Sequence, residues 1–452
     1  MIPPRSSHRQ QCRAGCAVVL ALIGGAPLAL PSAPVDSGTD DTPLPPPVLG
    51  TAVPPPAAAD AASAGTSSWF DPSKLPFIPV PLIGVDPNSG TTLGVIPTWV
   101  HTNDQQQITR IVAPDIVYNQ SFGAGAHFRV FAYPSADMQW SVVAYLYEHV
   151  QRSVDYEFES GRLRNGPWTI TGSLLDTRDG TPRFYGIGNE SPAIDETDYT
   201  SQEGRAQTQI CYNLSHAWQL QYTLRERVVD VLPGSLAGIE ALQTRFGNIL
   251  GVGTTGQLLN RLSVVYDTRN DPTIPTDGVK WVAYGGLASR HGAFNDSMYS
   301  ETGVDGRAFW PVADATIVAT HLALRYLLSS EDVPFWALSS IGGGDSQIGG
   351  PQALRGYGEG RYYDRDYFSS SIEIRRRVLE FSAISTHVEV EVTPFVDLGR
   401  VFARSGTFPL EQLHQVYGIG FRGIARPSVV GYVDIGYGNS GVAAFTGISY
   451  PF

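Results

Sequence analysis

The sequence predicts an all-β chain closed into a transmembrane antiparallel β-barrel, and three features predict it. From about residue 71 onward, short runs alternate apolar and polar residues at period two, with turn residues between them. Charged residues make up only 16% of the chain, against a usual quarter, and its apolar residues are spread evenly rather than gathered in blocks. The charges fall on the second face of the alternating runs, so each sheet has one wet side.

Individual runs carry this reading. "VEVEVTPFVDLG" (388–399) sets Val388, Val390 and Val392 on one face, with Glu389, Glu391, Thr393 and Asp397 on the other. "SSIEIRRRV" (370–378) opposes Ile372 and Ile374 to Ser371, Glu373, Arg375 and Arg377. "TIVATHLALRYLL" (316–328) places Val318, Leu322, Leu324 and Tyr326 opposite His321 and Arg325. A soluble sandwich would hide one apolar face in a core. A membrane barrel turns that face to lipid, keeps the polar face in its lumen and leaves no open edge.

Aromatic residues recur near strand ends, as interfacial girdles do. Read backwards from the C-terminus, short connections (425–428, 380–387) alternate with long ones (403–415, 330–367), spoiled only by the tight Gly438–Gly441 hairpin. That is the asymmetry of periplasmic turns and extracellular loops. About 17 candidate strands can be counted, spaced about 23 residues apart. Bacterial single-chain barrels usually have an even number, so one run is discounted and 16 strands are expected. The weakest runs are 92–100 and 153–162.

The N-terminus divides into two further segments. Arg5, Arg9 and Arg13 precede "AGCAVVLALIGGAPLAL" and small residues around Ser32 and Ala33, which reads as a signal peptide over 1–33. Cys12 and Cys16 leave with it, so Cys211 alone remains and no intrachain disulfide is expected. Residues 34–70 are rich in Pro and Ala and cannot bury a core, so they form a flexible tether with no globular domain. The barrel takes residues 71–452. Beyond the signal peptide, no run of about 18 apolar residues predicts a spanning helix. The net charge of −12 and the absence of a basic patch argue against nucleic acid.

Enzyme motifs do not survive their context. "GVGTTG" (251–256) fits G-x-G-x-x-G but leads into an alternating strand, with no helix to hold a pyrophosphate. "GGGDSQ" (342–347) lacks a partner Asp-His pair at suitable spacing. The nine histidines are scattered and form no ligand set. No catalytic residue, metal site or cofactor is called for.

One loop remains to be explained. "GGPQALRGYGEG" (349–360) carries Arg355 alone among glycines. Glu373 and Asp397 have lumen parity in successive, hence neighbouring, strands, where two facing carboxylates would repel. Either a single guanidinium between them removes that conflict, or the two acids and Arg355 each face lumen water; parity alone does not choose.

Four segments, "YDTRNDPTIPTDGVKW" (266–281), "ALRGYGEGRYYDRDY" (353–367), "PFVDLG" (394–399) and "YGIGFR" (417–422), resemble the bacterial surface antigen superfamily of outer-membrane barrels. Its members are the BamA/TamA-like proteins, together with two-partner secretion transporters. The likeness is good over about 255–452 and poor in motifs over 75–250. It implies a 16-stranded barrel in the bacterial outer membrane whose Arg355-Gly356-Tyr357 loop folds into the lumen, meeting Glu373 and Asp397. It further implies contact with outer-membrane lipid, the barrel-assembly machinery and an unknown polypeptide client. The departure is the tether, which stands where such proteins carry periplasmic POTRA domains.

Gly447, Tyr450 and Phe452 resemble the C-terminal signal read by that assembly machinery, although Phe445 stands where a polar residue usually opens it. Deleting Tyr450–Phe452 is expected to lower the amount of folded, heat-modifiable barrel and leave unassembled chain in the periplasm. Normal barrel levels in that variant would remove the signal from these residues.

Overall fold

The computed structural model describes residues 78–103, 108–272, 274–291, 296–329, 333–343, 354–383, 386–403, 410–425 and 429–448. The segments read from sequence as a signal peptide (1–33) and a tether (34–70), together with Tyr450 and Phe452, lie outside them. All described residues belong to one compact unit.

The wall begins with β1 (Ile78–Asp86), β2 (Gly90–Thr102) and β3, which comes in two pieces (Ile108–Val112 and Asp115–Asn119). It continues with β4 (Gly123–Ser135), β5 (Met138–Tyr147), β6 (Arg152–Ser160), β7 (Trp168–Asp179), β8 (Thr197–Asn213) and β9 (Trp218–Pro233). Then follow β10 (Gly253–Asp267), β11 (Gly278–Arg290), β12 (Ser297–Ala313) and β13 (Thr316–Ser329). The last five are β14 (Asp366–Ala383), β15 (Thr386–Phe402), β16 (His414–Ala425), β17 (Val429–Gly438) and β18 (Gly441–Ile448). Each pairs antiparallel with the next along the chain.

The expected count of 16 is therefore corrected: eighteen long strands stand among the described residues when β3 is counted once. Both runs read as weakest are real strands, β2 and β6. The break in β3 falls at Ala113-Pro114, where proline has no N–H for the ladder. The Ala113 N–H still donates to the Arg129 carbonyl at 2.9 Å, so the sheet continues across the break.

β18 lies beside β1 and closes the ring. There the Val85 N–H donates to Thr446 Oγ1 (3.0 Å). No backbone register joins these two strands among the described residues. β1 carries Pro79 and Pro81, which suits an edge better than the middle of a sheet.

The two faces differ as the alternation requires. Outward side chains such as Leu93, Ile116, Phe128, Leu174, Leu262 and Ile372 are exposed on the wall's outer surface, where lipid covers them. Near the rim of short turns, outward ring pairs Trp168–Tyr212 and Trp218–Tyr266 sit 5.0 and 4.6 Å apart, as an interfacial girdle does. Arg129, Arg325, Arg375 and Arg422 turn inward and are fully buried.

The opposite rim carries the long connections 180–196, 234–252, 330–365 and 403–413, but also short ones at 87–89, 120–122, 148–151, 291–296 and 439–440. The expected asymmetry thus holds for those four connections and fails for the other five, three of them tight hairpins near the seam. The long connections pack on one another through Phe184, Tyr199, Leu242, Phe335, Trp336 and Tyr363.

Candidate functional site: an arginine lock in the lumen

Arg355 enters the lumen from the 330–365 loop. Leu354 before it has φ of 70°, a left-handed conformation that costs a non-glycine residue free energy. Burial of Leu354 against Tyr357, Tyr362, Phe395, Val401 and Val416 offsets that strain. The Tyr357 N–H donates back to the Leu354 carbonyl (3.1 Å), closing a turn with Arg355 at its corner. Gly356 is needed for close approach, because a Cβ there would lie 2.9 Å from both the Gly438 nitrogen and Val416. Gly436 on the wall answers it: a Cβ at that position would meet the Arg355 carbonyl oxygen at 2.2 Å.

All five guanidinium N–H donors of Arg355 are engaged. Nε and Nη2 take Asp397 in a fork at 3.0 and 2.8 Å, and the Arg355 backbone N–H donates to the same carboxylate at 3.0 Å. Nη1 donates to Asp434 (2.9 Å) and to Glu373. The second Nη2 hydrogen goes to Ser371 Oγ (3.0 Å), which itself donates to Asp397 (2.6 Å). The guanidinium carbon lies 3.6 Å from the centre of the Phe395 ring, a cation–π contact in a dry site.

The wall supplies two further cations. Arg375 donates from Nε to Glu373 at 2.8 Å. Arg422 bridges Glu373 (3.3 Å) and Asp434. Three guanidiniums and three carboxylates, each no more than 4% exposed, thus balance within one cluster. Such balance is what a buried ionic group requires. The cluster draws on β14, β15, β16 and β17; Arg355 itself bonds to β14, β15 and β17, and Arg422 brings in β16 through Glu373 and Asp434.

Of the residues read from sequence, the structure brings Arg355, Glu373 and Asp397 into contact, with Gly356 and Tyr357 at the close approach beside them. Glu373 and Asp397 are not directly opposed: Asp397 pairs in register with Ser371, and Glu373 with Phe395. The diagonal leaves room for the guanidinium. Sequence reasoning missed Asp434, Arg422 and Ser371 as partners. Parity gave their direction, since Asp434 alternates with Val433 and Ile435, but not their grouping. Gly447 lies in β18, whereas Tyr450 and Phe452 lie outside the described residues.

A second anchor holds the start of the loop. Arg325 on β13 donates to the Ala337 carbonyl (3.3 Å) and to Ser339 Oγ (3.2 Å). Glu301 on β12 orients Arg325, accepting from its Nε at 2.9 Å, and also binds Arg261 from β10 at 2.6 Å. At the rim, Asn189 joins two connections to the wall. Its Nδ2 donates to the Gln412 carbonyl (2.9 Å), and its Oδ1 accepts from the Val401 N–H (3.1 Å).

Known proteins resemble this architecture. BamA from Haemophilus ducreyi lacking POTRA domains 1–3 is 12% identical, with a TM-score of 0.47 over 78% of this chain and 74% of that one. CdiB from Escherichia coli is 12% identical at a TM-score of 0.43, over 81% of this chain and 61% of its own. CdiB from Acinetobacter baumannii is 14% identical at 0.44, over 78% and 64%. This chain thus spans under two thirds of either CdiB. No curated protein matches the chain in sequence. The Omp85 superfamily domain matches residues 122–425, from the start of β4 to the end of β16, with Arg355, Glu373, Asp397 and Arg422 inside the match. That match takes in well over half of the chain, which therefore belongs to the Omp85 superfamily of bacterial outer-membrane barrels.

Proposed function

We propose that this barrel inserts or translocates polypeptides, with the 330–365 loop as a lumen plug released during passage and no POTRA domain of its own. The observation that carries the reading is the Arg355 cluster. A guanidinium satisfied at all five donors by three strands is more than a passive pore needs, and it is concentrated enough to release as a unit. The Pro/Ala-rich segment 34–70 cannot bury a core, so clients reach the barrel through a separate periplasmic partner. Outer-membrane lipid surrounds the wall, and the barrel-assembly machinery recognises the C-terminal strand.

Planar-bilayer recording tests this reading. A plugged translocator gives small, flickering conductance. A passive pore, the competing reading, gives large, steady, ion-selective steps, and such steps from the unaltered chain would overturn the proposal. Copurification from native outer membrane then identifies the client and the delivering partner.

A further inference from the structure

The loop also reaches both sides of the seam. Tyr357 Oη accepts a hydrogen bond from the Asn439 N–H (3.0 Å), in the turn between β17 and β18. Two residues on, the Glu359 carbonyl accepts from Asn88 Nδ2 (3.0 Å), in the turn between β1 and β2. Both turns press against the loop: a Cβ at Gly438 would sit 2.9 Å from the Tyr357 ring, and one at Gly358 only 2.2 Å from Asn88 Oδ1. Arg183, from the neighbouring long connection, donates to the Asn88 carbonyl (2.6 Å) and steadies that turn. These are the tips of the two hairpins that meet at the β1–β18 junction, where Val85 and Thr446 share a side-chain hydrogen bond and no backbone register is found among the described residues.

We propose that residues 357–359 form a cross-brace over the β1–β18 seam, so that the seam cannot part at this rim until the loop withdraws. The proposal rests on the reading of the loop as a movable plug. Opening the seam by even one strand spacing, about 4.8 Å, carries the two turns apart and stretches at least one of these bonds past the roughly 3.5 Å at which it ceases to exist. The two ends of the brace are unequal. Arg355 binds the loop to β14–β17, on the β18 side of the seam, so the Asn88–Glu359 contact is where the brace parts first.

Paired spin labels test the brace without any client. Nitroxides are placed at Ile83→Cys and Ala444→Cys, on the two strands that flank the seam, in a Cys211→Ser background reconstituted in lipid vesicles. In the parent the labels report a single short separation. Combining Asn88→Ala with Tyr357→Phe is expected to enlarge the parted population by about fivefold for each hydrogen bond removed, and Arg355→Ala by at least as much. If Arg355→Ala does not assemble, the Asn88→Ala/Tyr357→Phe pair decides alone. A label separation unchanged in that pair, or unchanged in Arg355→Ala while protease cuts its loop, overturns the brace. A seam that parts as expected in a barrel that moves no polypeptide counts against the proposed function and leaves the brace standing.

Discussion

Replacing Arg355 with alanine is expected to release the plug while leaving the barrel folded. The substitution leaves Glu373, Asp397 and Asp434 facing Arg375 and Arg422, one buried negative charge in excess. Losing one partner of a buried ionic group commonly costs about 3–5 kcal/mol. The wall avoids most of that cost by letting the loop leave and water enter, and the glycine-rich segment 354–360 gains chain entropy as it goes. The backbone registers of β14 to β17 do not involve the loop, so the wall persists. Conductance should rise, and protease added from outside should cut within 330–365. Arg355→Lys keeps the charge but offers three donors in place of five and cannot fork onto Asp397, so it should restore closure only in part. Asp397→Asn should loosen the plug less than Arg355→Ala, since Glu373 and Asp434 still hold the guanidinium. The double variant should be less than additive. Full additivity, with the loop equally protected throughout, would separate Arg355 from Asp397.

Glu301→Gln is expected to weaken the wall itself. Glu301 is 2% exposed and accepts from Arg261 Nε and Nη2 at 2.9 and 2.6 Å and from Arg325 Nε at 2.9 Å. Without its charge, two guanidiniums confront each other in a buried site, and both belong to wall strands that cannot move aside. Here the cost of about 3–5 kcal/mol falls on β10, β12 and β13. The temperature at which the folded band converts to the unfolded band in gel electrophoresis should drop clearly. Arg325→Met makes the contrast. It leaves the Glu301–Arg261 pair neutral, so heat resistance should hold, yet it removes the bonds to Ala337 and Ser339, so loop cleavage should increase. Equal losses of heat resistance in the two variants would show that Glu301 does not serve as the wall's counter-charge.

The sequence carried the faces of this fold better than its count. Alternation around Glu373, Arg375, Glu389, Glu391 and Asp397 assigns each side chain to lumen or lipid, because period two is a local property of a strand. The number of strands is not local. Pro114 divides β3, Pro79 and Pro81 are poor strand formers in β1, and the even-number rule then pushed a count of about 17 down to 16 when the described residues hold eighteen. The site was legible in the same proportion. Glu373 and Asp397 could be set together because β14 and β15 are consecutive and their parity agrees, and the family resemblance added Arg355 to them. Asp434 lies three strands from Glu373, and its place depends on the stagger of β15, β16 and β17 against one another, which no single strand specifies. Tertiary geometry brings it to the same guanidinium.

The order of residues in the cluster has a consequence for how the chain matures. Arg355 precedes every carboxylate it binds, and Asp434 follows it by 79 residues. During synthesis and export the arginine therefore exists before any of its acceptors is in place. Its last partner arrives only when β17 has been laid against β16, with β18 alone of the described strands still to follow. Once β16 has brought in Arg422 and before Asp434 arrives, the cluster holds three guanidiniums against two carboxylates, and Arg355 lacks one acceptor. If the loop plugs the lumen as proposed, its closure is expected late in assembly, timed by completion of the C-terminal strands, and an unfinished barrel is expected to stay open.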